Sequence, residues 1–149
     1  LFSSEDVRCE ISDVSQNRIE VTMHEDISPQ IKSHRDLIVW QKAMNLVVAV
    51  YRATEGFPRS ETYGLTSQIR RAAGSIPANI AEGQGRRLAG EYLQFLGNAR
   101  GSLLELDTHL EISQRLGMLR VGDHGELLER LEEVRKLLNG LMRAIRKAC

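Results

Sequence analysis

Aromatic residues are scarce in this 149-residue chain: one Trp, three Tyr and three Phe. An all-β sandwich draws on aromatic and β-branched strands, and so thin a supply argues against one. Only three prolines are present, which is thin for such a fold as well. No apolar run reaches about 18 residues, which leaves nothing to span a membrane. The chain does not open on a basic segment followed by an apolar one, so secretion is not expected. Cysteine is nearly absent: Cys9 and Cys149 stand near opposite ends. Two free thiols in a reducing compartment are the expectation, and with them a cytoplasmic protein.

Net charge is also lacking. Twenty basic side chains balance twenty acidic ones, which at first sight argues against nucleic acid. The balance hides an asymmetry. Residues 1–34 hold three basic side chains (Arg8, Arg18, Lys32) against seven acidic, a net of −4, and residues 35–149 hold seventeen against thirteen, a net of +4. The chain reads as an acidic leader, 1–34, before a mildly basic domain, 35–149. With 42% apolar and 27% charged residues, a globular core is within reach.

The leader shows no sustained period and is expected to be loosely ordered. Residues 18–23 alternate as a short strand would, but an isolated strand has nothing to pair with in a helical chain. Met23 is a natural start, so residues 1–22 are open to a reading as translation from a misassigned start.

From Asp36 a helical period sets in. Leu37, Trp40, Met44, Val47, Tyr51 and Thr54 recur at spacings of three and four, predicting a first helix over about 36–55, stopped by Gly56 and Pro58. Ser60 or Thr62 can cap a second helix with the stripe Leu65, Ile69, Ala72, Ile76 and Ile80, ending at Gly83 or Gly85. Pro77 lies inside it and removes the amide that would bond the Ala73 carbonyl, so a kink without a break is expected. The third stripe is Tyr92, Leu96, Ala99, Leu103, Leu106, Leu110, Ser113 and Leu116, ended by Gly117. Its Gly97, Ala99, Gly101 and Ser102 are small, and close approach of a neighbouring helix is expected to offset the two glycines, each about 1 kcal/mol worse than Ala in a helix. The fourth stripe is Leu127, Leu131, Val134, Leu138, Leu141 and Ile145, with Gly122 and Gly125 before it. Short connections between such helices give an all-α, up-down-up-down antiparallel four-helix bundle.

Catalytic signatures are missing. The four histidines form no H-E-x-x-H pair, and Glu105 with His109, four apart and occurring once, does not supply the repeated Glu-x-x-His of a di-iron bundle. Two terminal cysteines offer no zinc spacing. The lone G-x-G at Gly83–Gly85 follows a helix rather than a strand, which removes the dinucleotide reading. No catalytic residue, cofactor or metal ligand is assigned, and the chain is read as no enzyme.

The arginines carry more. Arg70 and Arg71 are adjacent on the second helix, Arg86 and Arg87 at the turn after it, with Arg59 and Arg100 as possible neighbours. Guanidinium forks suit phosphate oxygens. Ion pairing, for example to Glu82 or Glu91, is the other reading, and these residues alone leave both open.

The string over residues 61–83, ETYGLTSQIRRAAGSIPANIAEG, resembles the signature of the bacterial four helix bundle protein family, found in intervening sequences of large-subunit ribosomal RNA genes. Leu37-x-Val39-Trp40-Gln41-Lys42-Ala43 and Gly101-Ser102-Leu103-Leu104-Glu105-Leu106 are similar to its first- and third-helix motifs, and Gly74 stands where a larger residue is common. The family is similar in turn to the accessory variability determinant (Avd) proteins of diversity-generating retroelements. The resemblance implies a four-helix bundle assembling into a ring, typically a homopentamer, with no known enzymatic activity. For the Avd relatives it implies binding of RNA or DNA and of a reverse transcriptase through a basic surface.

Two functions follow. One is a non-catalytic, oligomeric nucleic-acid-binding accessory protein, with Arg70, Arg71, Arg86 and Arg87 exposed on one basic face. Five copies of a +4 domain would carry about +20, and phosphate contacts would add by counterion release and avidity. With the aromatics assigned to helix seams, binding would be backbone-directed. The other is an oligomeric scaffold without a nucleic-acid role, its arginines paired with acids of a neighbouring subunit.

Overall fold

The computed structural model describes residues 31–149. Cys9, Met23 and the alternating stretch 18–23 lie outside the described residues. Four helices account for most of the rest: α1 (Ile38–Ala53), α2 (Leu65–Gln84), α3 (Ala89–Arg115) and α4 (Val121–Ala148). Single 3-10 turns, His34–Asp36 and Arg59–Glu61, precede α1 and α2, and no strand occurs among the described residues. Packing runs around a square, α1 on α2, α2 on α3, α3 on α4 and α4 back on α1, with α2 against α3 the most extensive contact. This is the antiparallel four-helix bundle.

The described residues before 35 pack with the bundle. Ile31 packs against the core. The Ser33 hydroxyl accepts from the Arg35 amide at 3.2 Å, and the Asp36 carboxylate accepts from the Ser33 and Lys32 amides at 3.0 and 2.8 Å. These donors hold the Asp36 carboxyl below its ordinary pKa.

The core stripes of α2 and α4 follow the sequence: Ile69, Ala72, Ile76 and Ile80 are buried on one, and Leu127, Leu131, Val134, Leu138, Leu141 and Ile145 on the other. In α3 every residue of the stripe is buried except Leu116, which follows the last helical residue and is exposed.

The first helix departs from expectation. Its buried face is Val39, Ala43, Leu46 and Val50; of the expected stripe Leu37 and Thr54, at the two ends, are buried, whereas Met44 and Tyr51 are 38% and 45% exposed and Trp40 and Val47 lie on the flank. The cause is that α1 is apolar around most of its circumference. Two stripes one residue apart, about 100° on the helix, satisfy the same period. The chain buries Val39, Ala43 and Val50 in preference to Trp40, Met44 and Tyr51, leaving these three bulkier side chains at the edge.

Three local expectations are corrected. Neither Ser60 nor Thr62 caps α2: both fall in or beside the 3-10 turn, and the Glu61 carboxylate accepts from the Leu65 amide at 3.0 Å. Gly122 and Gly125 lie inside α4, which begins at Val121. Gly97 and Gly101 approach no neighbouring helix, for a Cβ at either would meet nothing within 4 Å. The close approach is at Gly83, where a Cβ would lie 2.8 Å from the Tyr92 ring and 3.0 Å from the Phe95 Cβ. Farther along the same pair of helices the Ser75 and Ser102 hydroxyls hydrogen-bond at 2.9 Å.

Gly117 ends α3 in the left-handed region, at φ +74°. Its amide reaches the Gln114 carbonyl and the Met118 amide the Ser113 carbonyl, each at 3.0 Å. That pair of bonds is a Schellman motif, which needs the positive φ. The helix α2 continues through Pro77. Asn79 donates to the Ser75 carbonyl at 2.8 Å, close along the helix to the Ala73 carbonyl that the proline leaves without its amide.

Candidate nucleic-acid interface

The four arginines separate by role. Arg70 is half-buried and reaches back to the end of α1. Its Nε donates to the Thr54 hydroxyl at 3.0 Å, a terminal nitrogen donates to the Tyr51 carbonyl at 3.4 Å, and the guanidinium lies 4.6 Å from the centre of the Tyr51 ring. Thr54 in turn donates to the Val50 carbonyl at 2.9 Å. A helix end leaves carbonyls without amide partners, and a cation there also meets the negative end of the helix dipole. Arg70 therefore staples α2 to α1.

Arg86 is also committed. It pairs with Glu82 at 2.7 Å and lies 4.6 Å from the centre of the Phe95 ring, with 39% of its side chain exposed. Here the ion-pairing alternative is what the chain adopts.

Arg71 and Arg87 are exposed, and neither forms an ion pair among the described residues. They do not sit together. Sixteen positions separate them, about 24 Å at the rise of an α-helix. Arg71 borders an open depression with Gln68, Ser75 and Glu105, so an acid shares its surroundings. Arg59 is exposed in the turn before α2, at the Arg71 end. Arg100 lies on α3 two residues from Ser102, hence near mid-bundle, by neither arginine pair.

One exposed group was not legible in the sequence. Tyr63, in the connection leading into α2, is 97% exposed. With the aromatics assigned to seams, no stacking surface was expected, yet Tyr63 presents both ring faces to solvent. Its place between a 3-10 turn and a helix start, outside any period, is the signal that separates it from the core tyrosine Tyr92.

The histidines make two partly buried contacts. His109 Nε2 lies 3.5 Å from Glu105 on the same helix, and His124 Nε2 lies 3.4 Å from Glu111 across the α3–α4 packing. Glu111 is held below its ordinary pKa first by the hydrogen bond from Arg115. Among the described residues no group of three or more His, Cys, Asp or Glu side chains is placed to hold a metal ion. No helix of the described residues is long and apolar enough to cross a membrane.

The comparisons agree with this geometry at the level of fold. The profile of the 23S rRNA-intervening sequence protein family matches residues 35–140. Among solved structures, one similar chain is a protein with unknown function from the S23 ribosomal protein family of Bacteroides thetaiotaomicron. It is 21% identical, with a TM-score of 0.66 over 70% of this chain and 98% of its own length. No curated protein matches the chain.

Proposed function

Because the chain belongs to the 23S rRNA-intervening sequence protein family, we propose that it is a non-catalytic accessory protein that binds nucleic acid, RNA or DNA, as a homo-oligomer. The observation that carries this reading is that Arg71 and Arg87 remain exposed without an ion-pair partner among the described residues, while Arg70 and Arg86 are spent on structure. Exposed guanidinium groups contact phosphate oxygens, which fix position and carry no base information. Binding is therefore tight at low salt and largely indifferent to sequence. Tyr63 adds an aromatic surface of the kind on which unpaired bases stack.

Assembly is part of the proposal. Met44, Val48 and Tyr51 recur at helical spacing on α1 and are exposed together, an apolar strip that a second subunit would cover. The same strip supports the scaffold reading, in which the ring carries no nucleic acid. A ring of five would repeat each Arg71 and Arg87 five times and bind by avidity.

The two readings separate in one experiment. Arg71→Ala and Arg87→Ala together are expected to weaken binding of unrelated oligonucleotides alike, with assembly unchanged in sedimentation. Unchanged affinity in an assembled variant would remove the role of these two residues. Loss of assembly would favour the scaffold.

A further inference from the structure

We propose that the end of the bundle at which α2 and α4 finish is a binding surface for the sugar–phosphate backbone, in which Arg143, Arg146 and Lys147 of α4 join Arg87. The inference rests on the nucleic-acid reading above and assigns to it three residues that neither the arginine pairs nor the family strings indicated.

The topology brings these cations together. Antiparallel packing sends α2 and α4 in the same direction. The Lys42–Glu133 ion pair, 3.0 Å, fixes the register of α4 on α1, and the packing of Tyr92 and Phe95 at Gly83 fixes that of α3 on α2. Arg86 and Arg87 follow the last turn of α2. From Glu133 the helix α4 runs on past the start of α1, placing Arg143 roughly 15 Å along from Glu133 and Arg146 and Lys147 in the last turn. All three are exposed. In the square α2 and α4 stand at opposite corners, so with neighbouring axes about 8–10 Å apart theirs lie roughly 11–14 Å apart, and the cations are distributed over this one end of the bundle.

The two ends of the bundle differ in neutralisation. After Glu133 the chain has five basic residues and no acidic one. Among the described residues at this end Glu82 pairs with Arg86, which leaves Asp36 and Glu91 as the unpaired acids, against Lys32, Arg35, Arg87, Arg143, Arg146 and Lys147. None of Arg87, Arg143, Arg146 and Lys147 has a side-chain carboxylate at ion-pairing distance among the described residues. At the opposite end Arg115 pairs with Glu111 and Arg130 with Glu126, and Asp123 and Glu126 line a groove with Arg52 and Arg120. A surplus of cations at one end of the bundle is the electrostatic footprint of a polyanion site.

Arg146 and Lys147 also suit the negative end of the α4 dipole, a purely structural role. Arg143 stands a turn earlier, where that effect has faded. The salt dependence of binding separates the roles, because dipole neutralisation does not move it.

The test uses the full chain and a labelled single-stranded RNA, with duplex DNA and poly-L-glutamate as comparison arms, over a salt series. Replacing Arg143, Arg146 and Lys147 together by Ala should lower the slope of log K against log salt by about 2 on single strands, at about 0.7 for each phosphate no longer neutralised, in each subunit engaged. Gln at the same three positions should do likewise, and covers the case in which the Ala variant does not fold. Lys at 143 and 146 should keep the slope. A wild-type slope in a folded neutral variant would overturn the inference while leaving Arg71 and Arg87 in place. A wild-type chain that binds neither nucleic acid would overturn both. Poly-L-glutamate competing as well as RNA, charge for charge, would assign the surface to acidic protein and overturn this inference.

Discussion

Adjacent side chains of one chemistry take opposite roles here. Arg70 makes two hydrogen bonds and a ring contact to the end of α1, whereas Arg71 points to solvent. Arg70→Ala is expected to destabilise the bundle by about 1–2 kcal/mol, since it removes charged donors from a half-buried site. Arg71→Ala should stay within about 0.5 kcal/mol, as exposed changes usually do. Urea denaturation followed by circular dichroism measures both; equal losses would contradict the division. The partners of Arg70 lie sixteen and nineteen residues back, so nothing in the local pattern distinguishes it from Arg71. The pairing of Arg86 was legible, because Glu82 stands four residues before it on the same helix.

Glycines separate by what surrounds them. Gly83→Ala places a Cβ 2.8 Å from the Tyr92 ring and should cost about 1–3 kcal/mol from overpacking, more than the helix propensity it gains. Gly97→Ala and Gly101→Ala meet open space within the chain and should each stabilise it by about 0.5–1 kcal/mol. Thermal denaturation of the three variants decides this, and a Gly83→Ala protein as stable as wild type would show that α2 and α3 can separate at little cost. If the chain assembles as proposed and Gly97→Ala or Gly101→Ala disrupts that assembly, these glycines face another subunit. The stripes of α2, α3 and α4 were legible because each helix has one apolar face; that of α1 was not, because two faces fit the same period and only packing selects between them. Pro77 was compatible with a continuing helix in the sequence as well, since Ile76 and Ile80 hold the stripe across it.

Across the whole molecule, the zero net charge conceals where the charges lie. Four helices and their antiparallel order follow from periods and short connections, and these were present in the sequence. The common location of Arg87 with Arg143, Arg146 and Lys147 was not, because those residues are far apart along the chain and only the direction of α2 and α4 unites them. The central claim is that exposed arginines bind a phosphate backbone. Its most direct test is fluorescence anisotropy of a labelled RNA with the wild-type chain between about 50 and 200 mM salt. The account predicts saturable binding whose log K falls linearly with log salt and changes little between unrelated sequences. No binding at the lowest salt, or an affinity that salt does not alter, would contradict it.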